Sequence, residues 1–431
     1  VTERRIAIIG LGFVGLPLAL SFAMKGCQVC GIDVDTELVE NLNKGITHHL
    51  EAYQGKSIQE ILKEQLKAGR FRASTDPKEA LESCRDIIVT VGVPVVGGIP
   101  DLTPLRNAVT AIARELQPGQ LVLLRSTVTP GTTRKVVQPI LESSGLQAEK
   151  DFFLAYAAER IAEGRAFEEF ENMPTVVCGV GKASLERAKE VLRIVTKAEL
   201  IEASSIEVGE TAKILENLSR DVDIALVNEF AKFTKALGID IFEVIKVANT
   251  HKRVNLLQPG PGVGGYCIPN AFYYLLPRAL ELGLNLRLFP VARQINDEVP
   301  LGVAGLILKN LPVPPAKAKV AVLGIAMKDY SNDDRLSPAL EVIKVLQRAG
   351  VQVAAFDPAV PKVYPFSVST LEEALHGAHG IAVLARQHGI DYQNLSYFWK
   401  LMSKEGPFIV DTRNIYKHLE VEKAGFRLET L

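Results

Sequence analysis

The chain has 431 residues, 47% of them hydrophobic and 23% charged, with a formal net charge of −1. That length exceeds a single core and favours two or three domains. The composition is that of an ordinary soluble globular protein, the charge balance argues against binding nucleic acid, and no apolar run is long enough to span a membrane.

In chain order, Arg5 to Ile9 reads as a short buried strand, followed by Gly10-Leu-Gly-Phe-Val-Gly15 and a helix from Leu16 to Lys25. Cys27 to Asp33 reads as a second strand, completing a β-α-β unit. Further strands are expected at Asp86 to Thr90, Leu121 to Leu124, Phe152 to Ala155 and Thr175 to Cys178, with helical segments between them. That alternation predicts a doubly wound parallel sheet. From Ile206 to Leu237 the pattern becomes one long helix, with Leu215, Val222, Leu226, Phe230 and Phe233 as an apolar stripe. Helical sequence continues to about Asn310, and Pro312-Val-Pro-Pro315 reads as a stiff linker. Lys319 to Gly324 then opens a second α/β unit, with Val351 to Asp357 as its next strand. Gly26-Cys-Gln-Val leading to Asp33 is echoed by Gly350-Val-Gln-Val leading to Asp357, although the second unit lacks the glycine triplet. The expected architecture is α/β: two Rossmann-like parallel-sheet domains, residues 1–200 and 312–431, joined by a helical domain, 201–311, with one long central helix.

Gly10, Gly12 and Gly15 have the spacing of a dinucleotide fingerprint: a tight turn, a close approach to pyrophosphate, and helix packing on strand. Asp33 ends the following strand 18 residues after Gly15, where a carboxylate bonds ribose hydroxyls and repels a 2′-phosphate, so NAD is favoured over NADP. Cys267 follows four glycines in Gly260-Pro-Gly-Val-Gly-Gly-Tyr-Cys-Ile-Pro269. A lone cysteine is more often an inert core residue, but a thiol beside a nicotinamide site suggests oxidation through a thiohemiacetal and a thioester. Lys213, Asn217 and Arg220 share one helix face, which by spacing alone is equally a solvated polar face. Glu159 and Glu163 flank Arg160 just after a strand end, where such sheets place ligand contacts and where surface charges are the alternative. The seven histidines show no ligand spacing, and the five cysteines form neither an even framework nor a zinc site, which suits the reduced cytoplasm.

These pieces together resemble the nucleotide-sugar 6-dehydrogenases of the UDP-glucose/GDP-mannose dehydrogenase family. The likeness runs through Gly10-Leu-Gly-Phe-Val-Gly-Leu-Pro17, Ser126-Thr-Val-Thr-Pro-Gly-Thr-Thr133, Glu216-Asn-Leu-Ser-Arg-Asp221, Ile224-Ala-Leu-Val-Asn-Glu229, the Cys267 loop, and Lys328 to Asp333-Asp-Arg-Leu-Ser-Pro338. The serine-threonine and glycine-rich motifs resemble the UDP-N-acetylhexosamine branch, above all the enzymes acting on UDP-N-acetylmannosamine. The resemblance implies two NAD-dependent oxidations of a sugar C6 alcohol to a uronate, with Cys267 capturing the aldehyde. It implies Lys213 as oxyanion stabiliser, Asn217 as holder of an ordered water, Glu159 as general base and Thr127 as the residue orienting water. Gly10, Gly12, Phe13, Val14, Gly15, Asp33, Val93, Thr127, Glu163 and Arg335 would contact the cofactor. Glu159, Arg160, Lys213, Asn217, Arg253, Gly264 and Lys328 would contact the UDP-sugar. The C-terminal domain would hold the uridine diphosphate, and the long helix would form the interface of a homodimer or higher homo-oligomer.

The sequence also departs from the family. Ala158 stands where a proline is usual and Ala271 where an aspartate is; Asn270 and Tyr266 replace a lysine and a histidine seen in one branch or the other. The missing aspartate opens two alternatives: an enzyme stopping at the aldehyde, or a homologue that binds NAD and nucleotide sugar with impaired turnover. UDP-glucose is the alternative substrate. A hydroxyacid dehydrogenase of similar domains would need neither Cys267 nor the second α/β unit.

Overall fold

A computed structural model describes residues 4–162 and 164–431. The chain divides into two compact units, Val1–Glu216 with Tyr273–Leu284, and Asn217–Phe272 with Asn285–Leu431.

The first unit is built on β1 (Arg5–Ile9), α1 (Gly15–Met24), β2 (Gln28–Ile32), β3 (Phe71–Ser74), β4 (Asp86–Val89), β5 (Leu121–Leu124), β6 (Phe153–Tyr156), β7 (Thr175–Gly179) and β8 (Leu200–Glu202). Its eight strands lie in the order β8-β7-β6-β5-β4-β1-β2-β3. β5 is apolar and buried throughout, and β4 is buried throughout and apolar after Asp86, as covering by helices on both faces requires. All neighbours pair parallel except β6 and β7, which run antiparallel through Ala155–Gly179 and Tyr156–Cys178. The expected doubly wound parallel sheet is present, with that one antiparallel junction. The core packs Leu18, Phe22 and Leu62 with Phe167 and Val191 around β1 and β5.

Glu171, on the helix Ala166–Asn172, ties this unit together. Its carboxylate accepts from Lys197 Nζ at 2.7 Å, Tyr53 Oη at 2.6 Å and Lys25 Nζ at 3.1 Å. Those donors, Lys197 first, hold its carboxyl down from 4.5 to about 2. A depressed folded pKa stabilises above the unfolded value and stops doing so as pH falls through the folded one. Glu171→Gln should therefore be less stable than the parent at neutral pH, and the difference should shrink between about pH 5 and pH 2. Urea midpoints of both proteins at several pH values check this; a gap independent of pH would refute it.

A long helix, α2 (Ile206–Leu237), has its first 11 residues in the first unit and the rest in the second. Its ends fall where the sequence predicts. The apolar stripe does not face a core: Leu215, Leu226, Phe230 and Phe233 are 57%, 50%, 46% and 56% exposed, while Ile214, Leu218, Ala225 and Ala231 are buried. α3 (Cys267–Glu281) is divided between the units after Phe272, and α4 (Leu288–Asn310) belongs to the second.

The second sheet comprises β9 (Lys319–Leu323), β10 (Gln352–Phe356), β11 (Gly380–Val383), β12 (Phe408–Asp411) and β13 (Arg427–Thr430), all parallel in the order β10-β9-β11-β12-β13. The two-residue period of β9 sends Val320 and Val322 into the cluster with Val303 and Val342, and Ala321 and Leu323 into the one with Leu375 and Phe398. The echo between the halves is structural. Gly10 N donates to Ile32 O at 2.7 Å and Gly324 N to Phe356 O at 3.0 Å. Leu11 N and Ile325 N then donate to Asp33 Oδ2 and Asp357 Oδ2, at 2.7 and 2.8 Å. No described helix is long and apolar enough to cross a membrane.

Candidate functional site

In the first unit the glycine loop joins β1 to α1. Gly10 has φ of 95°, a conformation that disfavours a side chain. A Cβ on Gly15 would stand 1.8 Å from Gly10 O, so glycine there is a packing requirement. At Gly12 a Cβ would meet no protein atom within 4 Å. Neither packing nor backbone conformation demands glycine at that position, which leaves clearance for a ligand, as a dinucleotide needs. Asp33 is fixed against the loop by Leu11 N, and its Oδ1 accepts from Asp35 N at 3.1 Å. Phe13 packs edge-on against His48 and His49, at 5.8 and 5.2 Å between centroids, and the two imidazoles stack at 4.5 Å. Burial lowers His49 to about 4, keeping that ring neutral. Val14 precedes α1 without a side-chain cap, and Val93 is buried with its carbonyl accepting from Tyr274 Oη at 2.5 Å.

Arg125, at the end of β5, is buried and pairs through Nη2 with Glu159 Oε2. Glu159 Oε1 accepts from Arg160 N at 2.7 Å and Ile161 N at 3.1 Å. Glu159 is therefore held on both oxygens. Arg160 forms a two-point ion pair with Glu216 on α2, Nε to Oε2 at 3.2 Å and Nη2 to Oε1 at 2.9 Å. Thr127 lies half-buried beyond β5, next to Ser126, whose Oγ donates to Val91 O at 2.5 Å. Lys213 is 8% exposed on α2. Glu163 lies outside the described residues.

In the second unit, Asn217 follows Lys213 by one turn of α2, is 1% exposed, and accepts from Arg220 Nη2 at 2.5 Å. The shared face predicted for the three is therefore partly buried rather than solvated. Cys267 is a free, exposed thiol and the first residue of α3. Ala271, one turn later, is buried. The loop before the thiol is seated on the segment after β9: Gly265 N donates to Arg335 O at 2.9 Å, and a Cβ on Gly264 would lie 2.7 Å from Leu336 O. This brings Gly264, Arg335 and the Lys328 segment together. Arg335 is held by Asp333 at 2.6 and 2.8 Å and lies over the Tyr266 ring at 5.1 Å. Arg253 is exposed after the helix Ile241–Ala248.

Sequence reasoning left a buried network beneath the loop unassigned. Gly260 N donates to Asn228 Oδ1 at 3.2 Å, Asn228 Nδ2 to Asn296 Oδ1 at 3.0 Å, and Asn296 Nδ2 and Arg293 Nη1 to Asp221 Oδ1 at 2.8 and 2.7 Å. Asp221 and Asn228 stand in the motifs quoted above, so the signal was present without a partner to explain it. Arg413 is also new: Asp329 pairs with its Nε at 2.8 Å, and its Nη1 lies 2.9 Å from where a Cβ on Gly260 would be. Nothing in spacing linked His48 and His49 to Phe13. A cavity of about 330 Å³ opens beside Glu171, Lys25, Tyr53 and Gln65, and none of the candidate residues lines it.

The fold and glycine loop define a dinucleotide-binding α/β protein, and comparison with known proteins makes the class specific. The NAD-binding, central and UDP-binding domains of the UDP-glucose/GDP-mannose dehydrogenase family match residues 4–197, 207–298 and 321–418. The chain belongs to this family and is an NAD-dependent nucleotide-sugar dehydrogenase. It is 35% identical over 416 residues to a UDP-N-acetyl-D-mannosamine dehydrogenase of Pyrococcus horikoshii, covering 96% of each chain. It is 32% identical over 401 residues to a UDP-N-acetyl-D-glucosamine 6-dehydrogenase of Pseudomonas aeruginosa, covering 91% of this chain and 92% of that one. The solved structure of a Pyrococcus horikoshii UDP-D-ManNAc dehydrogenase superimposes with a TM-score of 0.90, over 99% of this chain and 98% of that one. These relatives favour the full dehydrogenase over the impaired or aldehyde-stopping alternatives.

Proposed function

We propose that this protein oxidises the C6 alcohol of UDP-N-acetyl-D-mannosamine to the uronic acid, through a thiohemiacetal and then a thioester on Cys267. The observation that carries the chemistry is the exposed thiol of Cys267 at the start of α3, on a glycine loop seated against Arg335. The sugar rests on the relatives named for UDP-N-acetylmannosamine. NAD, when bound, accepts the hydride in each of two oxidations; Gly10, Gly12, Phe13, Val14 and Gly15 would cradle it, Asp33 would bond its ribose, and Val93, Glu163 and Arg335 would complete the contacts.

The rest belongs to side chains. Cys267 Sγ adds to C6 of the aldehyde, forming the C–S bond as the carbonyl π bond opens onto O6, which takes up the thiol proton. Lys213 stabilises negative charge on O6, and Asn217 holds a water near it. After the second oxidation, water oriented by Thr127 attacks the thioester carbon, its proton passes to Glu159, and the C–S bond breaks to release uronate and the thiol. Arg160, Arg253, Gly264 and Lys328 would hold the UDP-sugar. Residues 1–200 would serve NAD, 201–311 association and 312–431 the uridine diphosphate. The exposed Leu226, Phe230, Phe233 and Leu237 of α2 suit a second copy of the chain, giving a homodimer. Free cysteines suit the cytoplasm.

The test is NADH formed per mole of each candidate UDP-sugar, with the product identified by mass. Two NADH and a uronate from UDP-N-acetylmannosamine is the expected result; one NADH, or preference for UDP-glucose, would overturn the reading. Asp33→Ala should weaken NAD binding about 10–100-fold, the range for losing charged hydrogen bonds, while relieving exclusion of NADP. Titration of both cofactors decides it, and a parent that prefers NADP would contradict the role given to Asp33.

A further inference from the structure

We propose that Glu210 is a positioning residue for the reaction, because its carboxylate clamps the turn following Thr127 to the stretch of α2 that carries Lys213. The proposal rests on the roles given above to Thr127 and Lys213.

Glu210 is fully buried and stands three residues before Lys213 on α2. Its Oε2 accepts from Gly131 N at 2.5 Å, and its Oε1 from Thr133 N at 2.9 Å and Thr133 Oγ1 at 2.6 Å. Thr133 is fully buried as well. Thr132 closes the intervening turn, donating from N at 3.0 Å and from Oγ1 at 2.6 Å to Thr129 O. One carboxylate thus satisfies two backbone amides and a hydroxyl of the segment that begins at Ser126 and Thr127. Burial raises its pKa against the pull of those donors. The helix has little freedom to slide: a Cβ on Gly209 would stand 2.6 Å from Cys178 Sγ and 3.2 Å from the Tyr156 ring, so α2 is pressed against β7 and β6 at this turn.

A hydroxyl that orients water and an ammonium that meets an oxyanion must keep their separation through both oxidations and the hydrolysis. Glu210 is a buried bridge between the two segments that carry them, without touching the reacting atoms. Misplacement of such groups by about 1 Å costs on the order of 10²-fold in rate.

Glu210→Gln replaces one acceptor oxygen by an amide NH₂ that cannot accept from Gly131 or Thr133. The variant should lose about 10²-fold in kcat. Its KM for UDP-N-acetylmannosamine and its Kd for NAD should stay within about threefold of the parent, and amide exchange at Gly131 and Thr133 should accelerate. Unchanged kcat, or equal losses in kcat, sugar affinity and NAD affinity, would overturn the proposal. Should Glu210→Gln fail to fold, Thr133 decides. Thr133→Ser keeps the hydroxyl and should keep parental kcat, whereas the near-isosteric Thr133→Val should lose about tenfold or more. Equal kcat for those two variants would overturn the clamp. The parent is assayed first: no NADH from any UDP-sugar would sink the functional reading, while exchange at Gly131 and Thr133 would still report on the clamp alone.

Discussion

Cys267→Ser should bind NAD and UDP-sugar and release essentially no uronate. A serine adduct at the aldehyde oxidation level is a hemiacetal, which yields an ester once NAD takes its hydride, and the ester's alkoxide leaves far less readily than a thiolate. Removing a nucleophile that acts within a catalytic set costs orders of magnitude, so a fall in uronate formation on the order of 10³-fold or more is expected. Intact-protein mass spectrometry after mixing with NAD and UDP-N-acetylmannosamine should find an acyl adduct that persists in the variant and turns over in the parent. The other thiols provide a control. Cys27, Cys30, Cys84 and Cys178 are buried, and burial pushes Cys84 up to about 11 and Cys178 to about 12. A thiol-alkylating reagent should therefore label Cys267 first, with loss of activity in step. Normal uronate production by Cys267→Ser would remove covalent catalysis from the account.

Arg125→Met should cost about 3–5 kcal/mol of stability, the usual consequence of removing one partner of a buried ion pair. The Arg125 and Glu159 side chains are 4% and 12% exposed, and the guanidinium lies over the Phe170 ring at 5.9 Å. Without it, Glu159 keeps its two backbone donors and loses the cation paired with it. Turning the carboxylate into a neutral amide should relieve that strain, so Arg125→Met with Glu159→Gln should be more stable than Arg125→Met alone yet remain inactive. Urea denaturation of the parent, the two single variants and the double variant measures the coupling. A coupling below about 0.5 kcal/mol would mean the pair is no more than a surface contact.

Most of the first unit was legible because its chemistry is local. Three glycines with an aspartate after the next strand announce a strand-turn-helix-strand, and the long Pro-free run placed both ends of α2. What escaped detection depends on tertiary pairing. The antiparallel β7 carries the same Val-Val-Cys pattern as a parallel strand, since direction leaves no mark on alternation. Leu226, Phe230 and Phe233 were legible as an apolar stripe but not as an exposed one, because periodicity identifies an apolar face without saying what meets it. Arg125, Glu210 and His49 carried no local signal at all, and Asn228 stood in a motif with no partner to explain it. Each is explained by a partner 32 or more residues away. The Cys267 loop was legible as a glycine-rich approach to a thiol, but its seat against Arg335 and Leu336 follows from the fold alone.

The three glycines of the cofactor loop answer to different masters. Gly10 and Gly15 are demanded by the polypeptide itself, through a left-handed backbone at one and a carbonyl in the way of any side chain at the other. Gly12 is demanded by nothing in the protein. A descendant of this chain released from its cofactor would thus be free to lose Gly12 while still compelled to keep its two neighbours. The middle glycine is the place where abandonment of redox chemistry would first be written, in a lineage whose fold remained intact.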